Sequence, residues 1–110
     1  MASVWLDDER DPCDPNTQKL FGSIGNEVWV KSSVEAINLL KNGDVQEISL
    51  DHDLGEGGTG MEVARWIEEE AFFERIQPLK WRIHSANPVG VDNMKLALKK
   101  ADKYWNFKAR

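Results

Sequence analysis

The sequence predicts an α/β fold on a mainly parallel sheet, and three observations carry that expectation. Short apolar segments suited to strands alternate with segments whose apolar residues recur at helical spacing, and parallel neighbours require such crossover connections. Helix punctuation falls between them: Ser32 and Glu35 form a capping-box signature, Gly43 closes a helix, and Pro78 ends another. Three of the strand-like segments end in polar clusters, Asp7-Asp8-Glu9-Arg10, Asp51-His52-Asp53 and His84-Ser85-Ala86-Asn87.

Ala2 to Leu6 reads as a short buried strand, because Val4 and Leu6 point one way and Trp5 the other, leaving neither face polar. Residues 9 to 26 hold Pro12, Pro15, Gly22 and Gly25 without a sustained period, so a long loop is expected, with at most one helical turn over Thr17 to Leu20. A loop of that length in a small domain is usually functional or mobile. Glu27 to Lys31 is a second strand, with Val28 and Val30 opposite Trp29, and Val34, Ile37 and Leu40 then follow at helical spacing. Val45 to Asp51 is the third strand and runs into the glycine-rich loop Gly55 to Gly60. From Met61, the spacing of Val63, Trp66, Ile67 and Ala71 predicts an amphipathic helix with Glu68, Glu69 and Glu70 in solvent. Leu79 to Ser85 is the fourth strand. Met94, Ala97, Leu98, Ala101 and Trp105 mark a last helix, and Phe107 to Arg110 either fray or add a short fifth edge strand.

In open parallel sheets ligands collect at the carboxyl ends of the strands, where strand order reverses. With the order 2-1-3-4 that point lies between strands 1 and 3, flanked by Asp7-Asp8 and Asp51-His52-Asp53. The chain of 110 residues fits a single domain spanning 1–110. At 41% apolar and 30% charged it has the composition of an ordinary folded protein, with no run long enough to span a bilayer. The N-terminus lacks a signal-peptide layout, so a cytoplasmic protein is expected. Cys13 stands alone, which excludes an intramolecular disulfide and a thiolate metal site.

The net charge of −5 conceals an asymmetry: residues 1–60 carry twelve acids against four bases, residues 91–110 six bases against two acids. Duplex DNA is not an expected partner for so acidic a domain, and no membrane is expected. The basic stretch from Lys95 to Arg110 reads as a solvated helix face that adds, at most, a general attraction for a phosphorylated ligand.

Paired carboxylates at a strand end raise each other's pKa unless a cation neutralises them, and either Mg2+ or Arg10 would serve at Asp7 and Asp8. The plainer alternative has one aspartate capping a turn and the other solvated. His52, between two acids where the chain leaves the sheet, is a candidate acid or base, as is His84. For the latter segment the alternative is that Ser85 or Asn87 caps the next turn while His84 packs in the core. Two histidines at neighbouring strand ends can take a proton from water and give one to a leaving oxygen, the chemistry of phosphodiester hydrolysis. The Gly55 to Gly60 loop has no Walker pattern and by itself means a tight loop. The five tryptophans are expected mainly in packing roles.

The layout of Leu6-Asp7-Asp8, strand-terminal Asp51, Gly60-Met61-Glu62-Val63 opening a helix, and Ser85-Ala86 after strand four resembles response-regulator receiver domains, a small three-layer, flavodoxin-like fold. The resemblance implies Mg2+ at Asp7, Asp8 and Asp51, phosphoryl acceptance by Asp51, and a sensing hydroxyl at Ser85. A clear equivalent of the receiver's fifth strand and its lysine is missing, a loop replaces the first helix, and two histidines stand beside the acceptor and hydroxyl positions. Leu-Asp-Asp-Glu-Arg at 6–10, Ser-Leu-Asp-His-Asp-Leu-Gly at 49–55 and His-Ser-Ala-Asn at 84–87 resemble more closely the cyclic-phosphate-processing receiver-like domains, receivers converted to phosphoesterases.

The function expected is therefore phosphoesterase action on a cyclic phosphate, a 2′,3′-cyclic RNA end or a cyclic nucleotide. His52 and His84 would share the acid and base roles, and Arg10, Ser85 and Asn87 would hold phosphate oxygens. Asp53 or Asp51 would orient His52, and Asp7 and Asp8 would bind Mg2+ or position Arg10. Activity needing one charged and one neutral imidazole would be bell-shaped in pH. The alternative is a non-enzymatic receiver-like signalling or nucleotide-binding module in which Asp51 accepts phosphate or binds metal.

Overall fold

The computed structural model describes residues 2–108. Its elements in chain order are β1 (Ala2–Leu6), α1 (Pro15–Phe21), β2 (Val28–Val30), α2 (Ser33–Lys41), β3 (Val45–Leu50), a single 3-10 turn (Gly55–Gly57), α3 (Gly60–Phe72), β4 (Lys80–Ile83) and α4 (Pro88–Lys108). The four strands form one parallel sheet in the order β2-β1-β3-β4, as the alternation of strand and helix requires.

The two sheet faces are built differently. Val4, Leu6, Ile48 and Leu50 point to the face covered by α2, α3 and α4, where they form one core with Leu40, Val63, Ile67, Met94 and Leu98. Trp5 and Ser49, one residue out of phase, point to the other face, covered by the segment from residue 9 to 26. Phe21 at the end of α1 lies edge-on to His84, and the Gly22 carbonyl accepts from Arg82 Nη2 at 3.2 Å. These are the three layers of the expected fold, the second helical layer being only α1 and its flanking loops.

That segment is where the sequence reading departs most from the structure. The expected single turn over Thr17 to Leu20 is a helix of 7 residues. Its start is set by Asp14, whose carboxylate accepts the Asn16 amide at 2.7 Å, with Pro15 pre-formed for the first turn. Its end is set by Gly22 in the left-handed region at φ 84°. The last helix likewise starts earlier than its apolar pattern, at Pro88, since the first turn exposes Val89 and gives no core period. Phe107 and Lys108 continue that helix, so no strand forms there; the remainder of the expected edge strand lies outside the described residues. Asp51 and Ser85 fall just beyond their strands, and Glu27 and Lys31 flank β2. Among the described residues no helix is long and apolar enough to cross a membrane.

Candidate functional site

The parallel ladder runs one residue past three strand ends. The Asp7 amide donates to the Val30 carbonyl at 3.0 Å, the Asp51 amide to Leu6 at 3.0 Å and the His84 amide to Leu50 at 2.9 Å. This holds Asp7, Asp51 and His84 side by side at the carboxyl edge of the sheet, on the same face as Trp5 and Ser49.

Asp7 is the hub. It is fully buried, and Oδ1 accepts the backbone amides of Glu9 and Arg10, both at 2.9 Å. Oδ2 takes Arg10 Nη1 and His84 Nε2, both at 3.1 Å. Burial alone would raise this carboxyl, but the hydrogen bonds from His84, from the Arg10 and Glu9 amides and from the guanidinium outweigh it, lowering the pKa from 3.8 to about 2. Asp51 behaves oppositely. Burial and the neighbouring Asp7 charge push it above the ordinary carboxylate value, and the His52 amide, His84 and Arg10 offset them only in part. Arg10 Nη1 spans both carboxylates, 3.4 Å from Asp51 Oδ2, while its guanidinium carbon lies 4.2 Å over the Phe21 ring.

The two imidazoles occupy different surroundings. His84 is buried, stacked on Trp5, with Nδ1 at 2.7 Å from Ser49 Oγ and Nε2 on Asp7. Both of its ring nitrogens are thus engaged inside the protein. His52 stands at the rim, its side chain 19% exposed, with Nδ1 at 2.9 Å from Asp53 Oδ1. Asp53, which is exposed, sits below its ordinary pKa through that contact and the Asn87 amide group. Asp53 meets the His52 ring, whereas Asp51 Oδ1 accepts the His52 backbone amide at 2.8 Å.

The segment after β4 combines capping with reach. Ser85 Oγ accepts the Asn87 amide at 3.1 Å, and Asn87 Oδ1 accepts the Gly90 amide at 3.0 Å in the first turn of α4. The Asn87 side-chain nitrogen extends to Asp53 Oδ2 at 3.4 Å and to His52 Nδ1 at 3.5 Å. Ser85 and Asn87 both hold the turn that leads into α4, and Asn87 also touches the His52-Asp53 pair.

Asp7, Asp8 and Asp51 each offer an oxygen, and these oxygens all lie within 4.8 Å of one another. The donor set fits a hard divalent cation. Asp7 and Asp51 are also the partners of Arg10, so a bound cation and the guanidinium would share two carboxylates.

Sequence reasoning missed Ser49, Trp5, Phe21 and Gly90. Ser49 and Trp5 lie two residues before Asp51 and Asp7 on the same strand face, so period-two alternation was a usable signal. Phe21 and Gly90 reach the site only through the path of α1 and α4, and local pattern gives no hint of either. Trp29, half-buried, donates from Nε1 to the Asp7 carbonyl at 2.7 Å, which fixes the start of the Asp7 loop.

Compared with known proteins, residues 2–100 match the family described as cyclic-phosphate processing receiver domain. No curated protein and no solved structure matches the chain.

Proposed function

Because the chain belongs to the cyclic-phosphate processing receiver family, we propose that it is a phosphoesterase opening a cyclic phosphate on an RNA end or a nucleotide at the rim formed by Arg10, Asp51, His52, Asp53 and Asn87. One observation carries the reading: the rim imidazole of His52 is held through Nδ1 by Asp53 at 2.9 Å. A proton on Nδ1, assigned from that contact, leaves Nε2 as the lone-pair nitrogen.

In this reading His52 Nε2 takes a proton from the attacking water as its oxygen bonds to phosphorus. The phosphorus–ribose oxygen bond breaks, and the departing oxygen takes its proton from solvent. Arg10 uses Nη1 on Asp7 and Asp51, and its remaining N–H groups grip phosphate oxygens, supported by the Asn87 amide. The Ser85 hydroxyl, which accepts the Asn87 amide, would donate its own proton to a phosphate oxygen. His84 acts through Asp7, which it fixes against Arg10, in place of the second proton-transfer role expected of it. A divalent cation at Asp7, Asp8 and Asp51 would supply charge stabilisation to the phosphate.

The test is turnover of a panel of 2′,3′-cyclic nucleotides and oligonucleotides by the wild type, His52→Ala and His84→Gln, with and without EDTA. His52→Ala is expected to lose about 10²–10⁴-fold. No turnover of any substrate by the wild type, or undiminished turnover by His52→Ala, would overturn the reading.

A second reading is supported by the clustering of Asp7, Asp8 and Asp51, the trio that receivers use around a phosphoacceptor. It predicts Mg2+-dependent labelling of Asp51 by acetyl phosphate, with His52 and His84 dispensable. The phosphoesterase reading predicts no stable label.

A further inference from the structure

His52 owes its position to a missing side chain. Its ring lies against the first turn of α4, where a Cβ built on Gly90 would stand 2.5 Å from His52 Cγ, 2.6 Å from Cδ2 and 3.0 Å from Cβ. The clash falls at the root of the side chain, so turning the ring about its own axis cannot relieve it. Movement of the loop is blocked as well, because the Gly60 amide at the start of α3 donates to the His52 carbonyl at 2.8 Å and Asp51 Oδ1 holds the His52 amide at 2.8 Å. Gly90 is itself held in place, buried, with its amide on Asn87 Oδ1.

Gly90 has no positive φ to justify glycine, and glycine in a helix is unfavourable relative to alanine. A residue that weakens its own helix at a contact with a rim imidazole has a packing reason. We propose that Gly90 is the positioning residue of His52: its bare Cα forms the seat that keeps the imidazole Nδ1 on Asp53. This rests on the phosphoesterase reading for its functional meaning, but the geometry can be tested without any substrate.

The experiment compares Gly90→Ala in the wild type and in a His52→Gly background by thermal unfolding. In the wild type the substitution is expected to lower the melting temperature by roughly 4 °C or more, through overpacking. In the His52→Gly background, with the collision gone, it is expected to raise it by roughly 4 °C through helix propensity. An equal change in both backgrounds, or a protein unfolded in both, would overturn the proposal. Failure to fold in the wild-type background alone would support it.

Imidazole 15N–1H spectra provide the positional readout. Gly90→Ala should move the His52 ring signals and expose its Nδ1 proton to exchange while leaving those of His84 in place; unmoved His52 signals would count against the seat. Turnover of a cyclic phosphate should fall about 100-fold, as for a misplaced reacting group. A wild type inactive on every cyclic phosphate would sink the phosphoesterase reading, yet the melting and ring-signal results would still decide whether Gly90 seats His52.

Discussion

The imidazole of His84 lies flat on the indole of Trp5, with ring centroids 3.7 Å apart and planes 9° from parallel. The stack sets the ring so that Nδ1 meets Ser49 and Nε2 meets Asp7. Trp5 also donates from Nε1 to the Arg10 carbonyl at 3.0 Å, so one side chain holds both the Arg10 backbone and the His84 ring beside Asp7. Replacing it should therefore disturb the fold and the site together. Trp5→Leu is expected to cost about 3 kcal/mol in urea unfolding, from the lost packing of a fully buried indole. A cost below about 1 kcal/mol would show that the stack is incidental.

Arg10→Lys keeps the charge but not the geometry. A lysine cannot reproduce the planar contact with Phe21 or keep further N–H groups for a ligand while touching Asp7 and Asp51. The expected loss is about 1–2 kcal/mol of stability and at least about tenfold in turnover. A fully active lysine variant would remove Arg10 from phosphate binding.

The acid limb of stability, measured in EDTA, should carry two opposite signatures. Asp7 titrates at about 2 in the folded chain against 3.8 ordinarily, so its contribution is fully present above pH 3.8 and disappears as the pH falls through about 2. Its size is about 2 kcal/mol. Asp51, raised above 3.8, penalises the native state at neutral pH, and that penalty is relieved as the pH falls through its folded pKa toward 3.8. Urea titrations from neutral pH downward should show Asp51→Asn removing the upper change and Asp7→Asn the lower. An acid limb that both variants leave intact would contradict the assignment.

Magnesium should raise the melting temperature of the wild type with increasing concentration if Asp7, Asp8 and Asp51 hold it, because a ligand of the native state alone adds stability by mass action. Asp8→Asn, which leaves the contacts among Asp7, Arg10 and Asp51 untouched, should blunt that rise. A melting temperature that stays flat across the titration would remove the metal from the mechanism.

Gly60→Ala probes the other clamp on the His52 loop. A Cβ at Gly60 would run into the Asp51 carbonyl and stand 2.9 Å from Met94 Sδ. With backbone on one side, relief requires moving the start of α3, and a cost of about 3 kcal/mol is expected in chemical unfolding.

The strands and most helices were legible in the residue pattern alone, because alternating burial and helical spacing are local consequences of which faces must leave water. The same pattern also determined that Asp7, Asp51 and His84 would gather at one edge, since a parallel sheet aligns its carboxyl ends. α1 was hidden, as its 7 residues bury little beyond Thr17 and so write no apolar period. The different surroundings of the two histidines come instead from the tertiary packing. His84 turns inward because Trp5, Ser49 and Asp7 share its sheet face. His52 turns to the rim because α4 brings a glycine and Asn87 against it. Which partners surround an imidazole depends on crossings of elements far apart in the chain, and no local spacing encodes them.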